Sequence, residues 1–169
     1  MWFDIKYISD KRKVKIMEAH YYNVDINWNT DRKGMMCSSE LNIENGNNNT
    51  CIEVATPPEF PNGVPGIWSP EHLFTAAVNS CLMTSFLAVA ENSKLEFESF
   101  SCKSKGKLDR VDGKFMMSEI LLEPTVIIFN EKNRARAERV LQKSEAICLI
   151  TRSIKAKVKM IPTIIIKET

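Results

Sequence analysis

Apolar side chains recur at alternate positions early in the chain, at Val14 and Ile16 and then at Val24, Ile26 and Trp28. These β-branched and aromatic types suit a pleated, half-buried surface, which predicts one bent strand or two short ones. Asp31-Arg32-Lys33-Gly34 reads as a turn, and a second strand is expected over 35–44. Asn45-Gly46-Asn47-Asn48-Asn49 predicts another turn, because Asn and Gly tolerate positive φ. A short strand over 51–55 then pairs back, so the first third reads as an antiparallel meander.

Residues 56–67 hold four of the seven prolines and two glycines, a composition that excludes regular structure. The loop leads into Ser69-Pro70-Glu71. Ser suits a helix N-cap, Pro suits the first helical position, and an acid suits the positive end of the helix dipole. From 71 to 92 there is no Pro or Gly, and Leu73, Phe74, Val78, Leu82, Phe86 and Val89 are among many apolar residues, with charges only at the two ends. A helix that is apolar nearly all round is expected to be buried nearly all round. A strand over 97–108 follows, then a hairpin turn at Asp112-Gly113 and a strand over 116–129. Pro124 lies inside that strand, which predicts an edge position or a bulge. Asn130 or Asn133 can cap a second helix whose stripe is Ala137, Val140, Leu141, Ser144, Ile147 and Cys148. Lys155, Lys157 and Lys159 then alternate with Ala156, Val158 and Met160, a final strand with one wet face. The class is α+β, a single domain of antiparallel sheets around a buried central helix: meander and loop over 1–68, helix over 69–93, the remainder over 94–169.

Composition narrows the function classes. The 169 residues include 44% hydrophobic residues, enough for a core, and the 23 basic and 21 acidic residues leave a formal charge of only +2. No basic domain or tail stands out, so nucleic acid is not an expected partner. The lysines near residue 157 read as a solvated face without interleaved aromatics rather than as an RNA surface. Asp4 and Lys6 interrupt any apolar leader, and no uncharged stretch reads as long enough to span a bilayer, so a cytoplasmic protein with no membrane partner is expected.

The five cysteines are Cys37, Cys51, Cys81, Cys102 and Cys148, with no C-x-x-C spacing, and the two histidines, His20 and His72, are far apart. No zinc site of the usual spacing is expected. In a reducing compartment any disulfide is expected to be transient and catalytic. Cys81 lies mid-helix in Asn79-Ser80-Cys81-Leu82-Met83 and Cys148 on the stripe of the second helix. Periodicity alone leaves both as small buried hydrophobes. Cys37, Cys51 and Cys102 fall in predicted strands and read as filler. His20 and His72 read as structural or surface residues, and Arg134 and Arg152 as surface charges.

The run Gly66-Ile67-Trp68-Ser69-Pro70-Glu71-His72-Leu73-Phe74-Thr75-Ala76-Ala77-Val78-Asn79-Ser80-Cys81 resembles the signature segment of the OsmC/Ohr family. There a loop ends in Ser/Thr/Asn-Pro-Glu and an Ala-rich helix carries a reactive Cys ten residues after the Glu, as Cys81 follows Glu71 here. A second Cys late in the next helix, matched by Cys148, and an Arg before a Gly in the meander, matched by Arg32, extend the resemblance from about residue 20 to 163. The resemblance implies reduction of organic hydroperoxides, with Cys81 peroxidatic and Cys148 resolving. It implies Arg32 as the cation that stabilises the thiolate and Glu71 as its orienting partner. No cofactor is implied beyond an external dithiol, in several members lipoyl-based. Two departures stand out. Leu149 follows Cys148 where many members have Pro, and Thr56-Pro57-Pro58-Glu59-Phe60 looks more like the broader OsmC-like branch than the Ohr branch.

The chemistry needs these residue types. A free thiol with a pKa of about 8.5 is only a few per cent thiolate at neutral pH. Burial raises the pKa, and mid-helix position gives little dipole help. A fixed guanidinium would offset both. Ten residues of helix span about 15 Å, so Glu71 and Cys81 of one chain cannot meet. If both serve one site, as the resemblance implies, Glu71 must come from a second chain, and a homodimer with two sites at its interface is expected. The competing expectation is a non-catalytic dimer holding an apolar ligand among Met35, Met36, Phe60, Trp68 and Phe86.

Overall fold

The computed structural model describes residues 19–41 and 50–168. The expected strand around Val14 and Ile16 and the Asn-rich turn at 45–49 lie outside the described residues. A small antiparallel sheet, β1 (Asp25–Thr30), β2 (Lys33–Cys37) and β3 (Cys51–Ala55), forms the expected meander in the order β1-β2-β3. Its first turn is tighter than the sequence suggests, with Asp31 at φ 48° and Lys33 and Gly34 already in β2. Gly34 is required there: a Cβ would lie 2.8 Å from the Asn27 carbonyl oxygen. β2 also stops at Cys37 instead of continuing to 44, because Ser38 and Ser39 favour local turns, and a 3-10 turn runs over Ser39–Leu41.

The proline-rich loop is held by backbone bonds, Val64 N–H to the Thr56 carbonyl at 2.9 Å and Ala55 N–H to the Trp68 carbonyl at 2.8 Å. It delivers the chain to α1 (Pro70–Asn92). The Ser69 hydroxyl accepts from the His72 N–H and the His72 ring accepts from the Ser69 N–H, a reciprocal cap with His in the position more usual for Glu.

β4 (Ser99–Val111) and β5 (Lys114–Ile128) form a long hairpin closed by Asp112 and Gly113, both at positive φ, the twist-matched turn the sequence predicts. After a 3-10 turn capped by Asn130 come α2 (Arg134–Ile147), α3 (Leu149–Ser153), β6 (Lys157–Met160) and β7 (Thr163–Ile166). The second sheet is mixed, not antiparallel, since β6 and β7 both run parallel to β5. Its crossover is α2, which carries the chain back to the starting end. The strand β7 was not anticipated.

Pro124 sits at neither an edge nor a bulge. β5 is central, its irregularity lies near Ser118, and Pro124 faces the gap between β6, which pairs with 119–122, and β7, which pairs with 125–128. Its missing N–H therefore falls where no ladder bond is due.

One face of α1 packs on this sheet. Val78 and Leu82 meet Ile120, Leu122 and Ala156, while Phe86, Val89 and Ala90 meet Val126, Ile128, Val140 and Leu141. The other face is not covered by the described residues, and Met83 and Leu87 remain 41% and 45% exposed. Burial all round is thus not achieved within one chain, because a single sheet and α2 cover only one side. The expectation of no span-length apolar stretch is also corrected, since α1 is long and apolar enough to cross a membrane by length and composition. In this fold it is the helix on which the core is built. Arg134 is likewise more than a surface charge. It forks onto Glu131 at 2.6 and 3.0 Å and donates to the Ile164 carbonyl at 2.9 Å, tying the start of α2 to β7.

Candidate active site

Cys81 lies midway along α1 and is half-buried, on the side facing the α2–α3 junction. Cys148 is 1% exposed and forms the junction itself, with φ −58° and ψ 112°. The expected stripe continuing through it is broken. α2 ends at Ile147, which points outward, and the chain kinks at Cys148 into α3. The kink turns the Cys148 sulfur toward α1.

The two thiols interact directly, with opposite effects on their acidity. Burial raises the pKa of Cys81. Hydrogen bonds from the Cys148 thiol, from the Ile150 and Leu149 N–H groups and from the Ser85 hydroxyl outweigh that and leave it below the ordinary cysteine value. Burial raises the pKa of Cys148, and hydrogen bonding to Cys81 raises it further, against the Thr151 hydroxyl, which donates to its sulfur at 3.1 Å. Of the two, Cys81 is therefore the more acidic thiol and Cys148 the less acidic.

No cation contributes to the lowered pKa of Cys81 among the described residues. Arg32 is exposed at the β1–β2 turn and lines a cavity of about 490 Å³ with Trp28, Thr56 and Pro70. Glu71 lies in the first turn of α1, on a second cavity of about 580 Å³ with Trp68, Asn79 and Met117. Its Oε2 is buried without a hydrogen-bond partner, a state that a native carboxylate oxygen seldom keeps. Arg32 and Glu71 thus lie toward one end of α1 and make no ion pair with each other among the described residues. Cys81 and Cys148 form a separate cluster farther along.

Sequence reasoning missed the donors from Ser85, Leu149, Ile150 and Thr151. Ser85 was findable, one helical turn after Cys81. The N–H donors were not, because they depend on the kink. His72 caps α1 and His20 is exposed, as expected. Cys102 is free, and burial raises its pKa. Cys37 and Cys51 are not unpartnered filler: a disulfide joins them across β2 and β3. They face each other in the ladder, a register the sequence did not specify.

Leu149 gives the departure after Cys148 a physical meaning, since Pro has no N–H to offer the Cys81 sulfur. Leu149 occupies the first position of α3, where Pro is tolerated, and Cys148 already has a backbone suited to the residue before Pro. Leu149→Pro is therefore expected to fold normally and to raise the Cys81 pKa. The pH profile of Cys81 alkylation by iodoacetamide should move to higher pH; an unmoved profile would remove this N–H from the site.

The profile of the family described as OsmC-like protein matches residues 63–162, more than half of the chain, including α1, the hairpin, α2 and Cys148. The chain belongs to the OsmC-like protein family. Among curated relatives, the uncharacterized protein YmaD of Bacillus subtilis is 26% identical over 147 residues, covering 85% of this chain and 93% of that protein. An OsmC-like protein of unknown function from Vibrio cholerae superposes with a TM-score of 0.73 at 19% identity, over 85% of this chain and 99% of that one. An organic hydroperoxide resistance protein from Elizabethkingia anophelis gives 0.67 at 15% identity, over 90% and 100%. The OsmC-like fold of this chain is thus shared with solved structures that include organic hydroperoxide resistance proteins.

Proposed function

We propose that this OsmC-like protein reduces organic hydroperoxides through Cys81 and Cys148. The contact between a half-exposed thiol of lowered pKa and a buried thiol of raised pKa carries this reading. Cys81 thiolate attacks the terminal oxygen of ROOH. The O–O bond breaks, the alkoxide takes a proton to leave as ROH, and Cys81 becomes a sulfenic acid. Cys148 sulfur then attacks the sulfenic sulfur, a disulfide forms and water leaves. An external dithiol reduces that disulfide, giving up two electrons and two protons.

Arg32 and Glu71 enter this scheme from a second copy of the chain. The unpartnered Glu71 oxygen, the exposed Met83 and Leu87 on α1 and the fully exposed strand β1 all support a homodimer. In it, the Arg32–Glu71 end of one α1 serves the thiol pair of the other. The ligand-binding reading is weaker, because Phe86 is sealed in the core and cannot line a cleft.

The test is turnover of cumene hydroperoxide with dihydrolipoamide, together with the mass of the protein in solution. The expected results are saturable turnover, a dimeric mass, and a loss on Glu71→Gln of roughly tenfold or more in kcat/KM. Absence of turnover with either dithiol or monothiol reductants would end the peroxidase reading. A monomeric, fully active protein would end the shared site.

A further inference from the structure

The proposed reaction uses two of the five cysteines, and Cys37 and Cys51 stand apart from it on the small sheet. Their disulfide brings the two Cα atoms to 4.1 Å. They are directly opposite each other, the last pair of the β2–β3 ladder. In the adjoining pair, Ser38 N–H donates to the Thr50 carbonyl at 3.3 Å. Hydrogen-bonded and open pairs alternate, so Cys37 and Cys51 form the narrow, open kind, in which facing Cα atoms lie about 4.5 Å apart. The ladder alone thus holds both sulfurs within bonding reach.

Both cysteines are only half-buried, β1 is exposed throughout, and in β2 and β3 only Gly34, Val54 and Ala55, at the end away from the cysteines, are buried. A sheet of this kind specifies its register weakly. The opposite end of the same two strands seats Arg32: Lys33 pairs with Ala55, and Thr56 N–H donates to the Arg32 carbonyl at 3.1 Å. A slip of one residue between β2 and β3 would invert every side chain on one strand and shift that seat.

We propose that Cys37 and Cys51 are a second redox couple, whose oxidation locks the β2–β3 register and with it the seat of Arg32. In the forward direction one thiolate attacks a hydroperoxide ROOH, giving a sulfenic acid and, after protonation, ROH. The other sulfur attacks the sulfenic sulfur, the S–S bond forms and water leaves. A dithiol reverses this: its first thiolate takes one sulfur as a mixed disulfide and frees the other cysteine. Its second thiolate then closes its own disulfide and frees the remaining one. The role given to Arg32 rests on the peroxidase reading; the couple itself does not.

The experiment uses the full chain and a Cys81→Ser/Cys148→Ser variant, alkylated after denaturation and mapped by peptide mass. Cys37 and Cys51 are expected as one linked peptide pair before dihydrolipoamide, as two alkylated peptides after it, and linked again after cumene hydroperoxide, in both proteins. Amides of β2 and β3 should exchange on the order of a hundredfold faster in the reduced form, the scale set by opening a loop of about 15 residues. Cys37→Ser/Cys51→Ser should exchange at the reduced-state rate. Thiols alkylated under every oxidising condition, a bond that survives excess dithiol on the folded protein, or exchange unchanged by reduction would each overturn the couple. Cycling of Cys37 and Cys51 with hydroperoxide consumed equally fast by the full chain and by the Cys81→Ser/Cys148→Ser variant would overturn the peroxidase reading at Cys81 and leave the couple standing.

Discussion

Cys81→Ser is expected to lower hydroperoxide turnover at least about a thousandfold, the scale on which removal of an attacking group acts. The serine hydroxyl fits the same half-buried position on α1, but it does not ionise at neutral pH. The donors that favour a thiolate, Cys148, Leu149, Ile150 and Ser85, would then surround a neutral group. Cys148→Ser should behave differently. It keeps the nucleophile and should complete one turnover, then stall as a sulfenic acid that dimedone traps, unless an external thiol resolves it. Cys81→Ser should trap nothing at that position. Wild-type turnover by the Cys81 variant would show that the chemistry lies elsewhere.

Phe86→Ala is expected to be the most destabilising truncation along α1, costing about 3–5 kcal/mol. Phe86 is fully buried, edge-on to Phe97 at 5.1 Å and stacked on Phe100 at 4.7 Å. It joins α1 to the first part of β4 and to the α2 core, so the void would open where three elements meet. For a chain of this size the loss corresponds to a melting temperature lower by roughly 10 °C. Denaturation at fixed protein concentration measures it, and a shift of only one or two degrees would show that the site collapses around the void. Leu87, the next residue, faces away from that core, and its truncation should change self-association more than folding.

The elements that could be read from the sequence are those with strong local signals. The cap at Ser69, the length of α1, the Asp112-Gly113 hairpin and the alternation at Lys157 and Lys159 all depend on neighbours a few residues away. What failed depended on distant pairing. Pro124 looked like an edge or a bulge, because nothing local reveals that its partner strand is split in two. β7 lacked a polar alternation to announce it. In the site, Cys81 and Cys148 were readable only through the family resemblance, since each also fits an apolar stripe. The N–H groups that act on Cys81 exist because the chain turns at Cys148, and the periodic pattern ran through that point without a break. The Cys37–Cys51 link was hidden for a similar reason: which residues face each other in a hairpin depends on loop length as well as residue type.

The division of the partner of β5 into two strands also orders the events of synthesis. The hairpin and α1 can collapse together as soon as residue 128 has left the ribosome. Ile164 and Ile166, however, pack against the cluster that holds Phe86, Val126 and Ile128. That flank stays open until residues 163–166 emerge and lie down beside 125–128. A nascent chain halted between α2 and β7 would carry an unpaired strand edge next to an uncovered apolar helix, the combination that most invites capture by a chaperone.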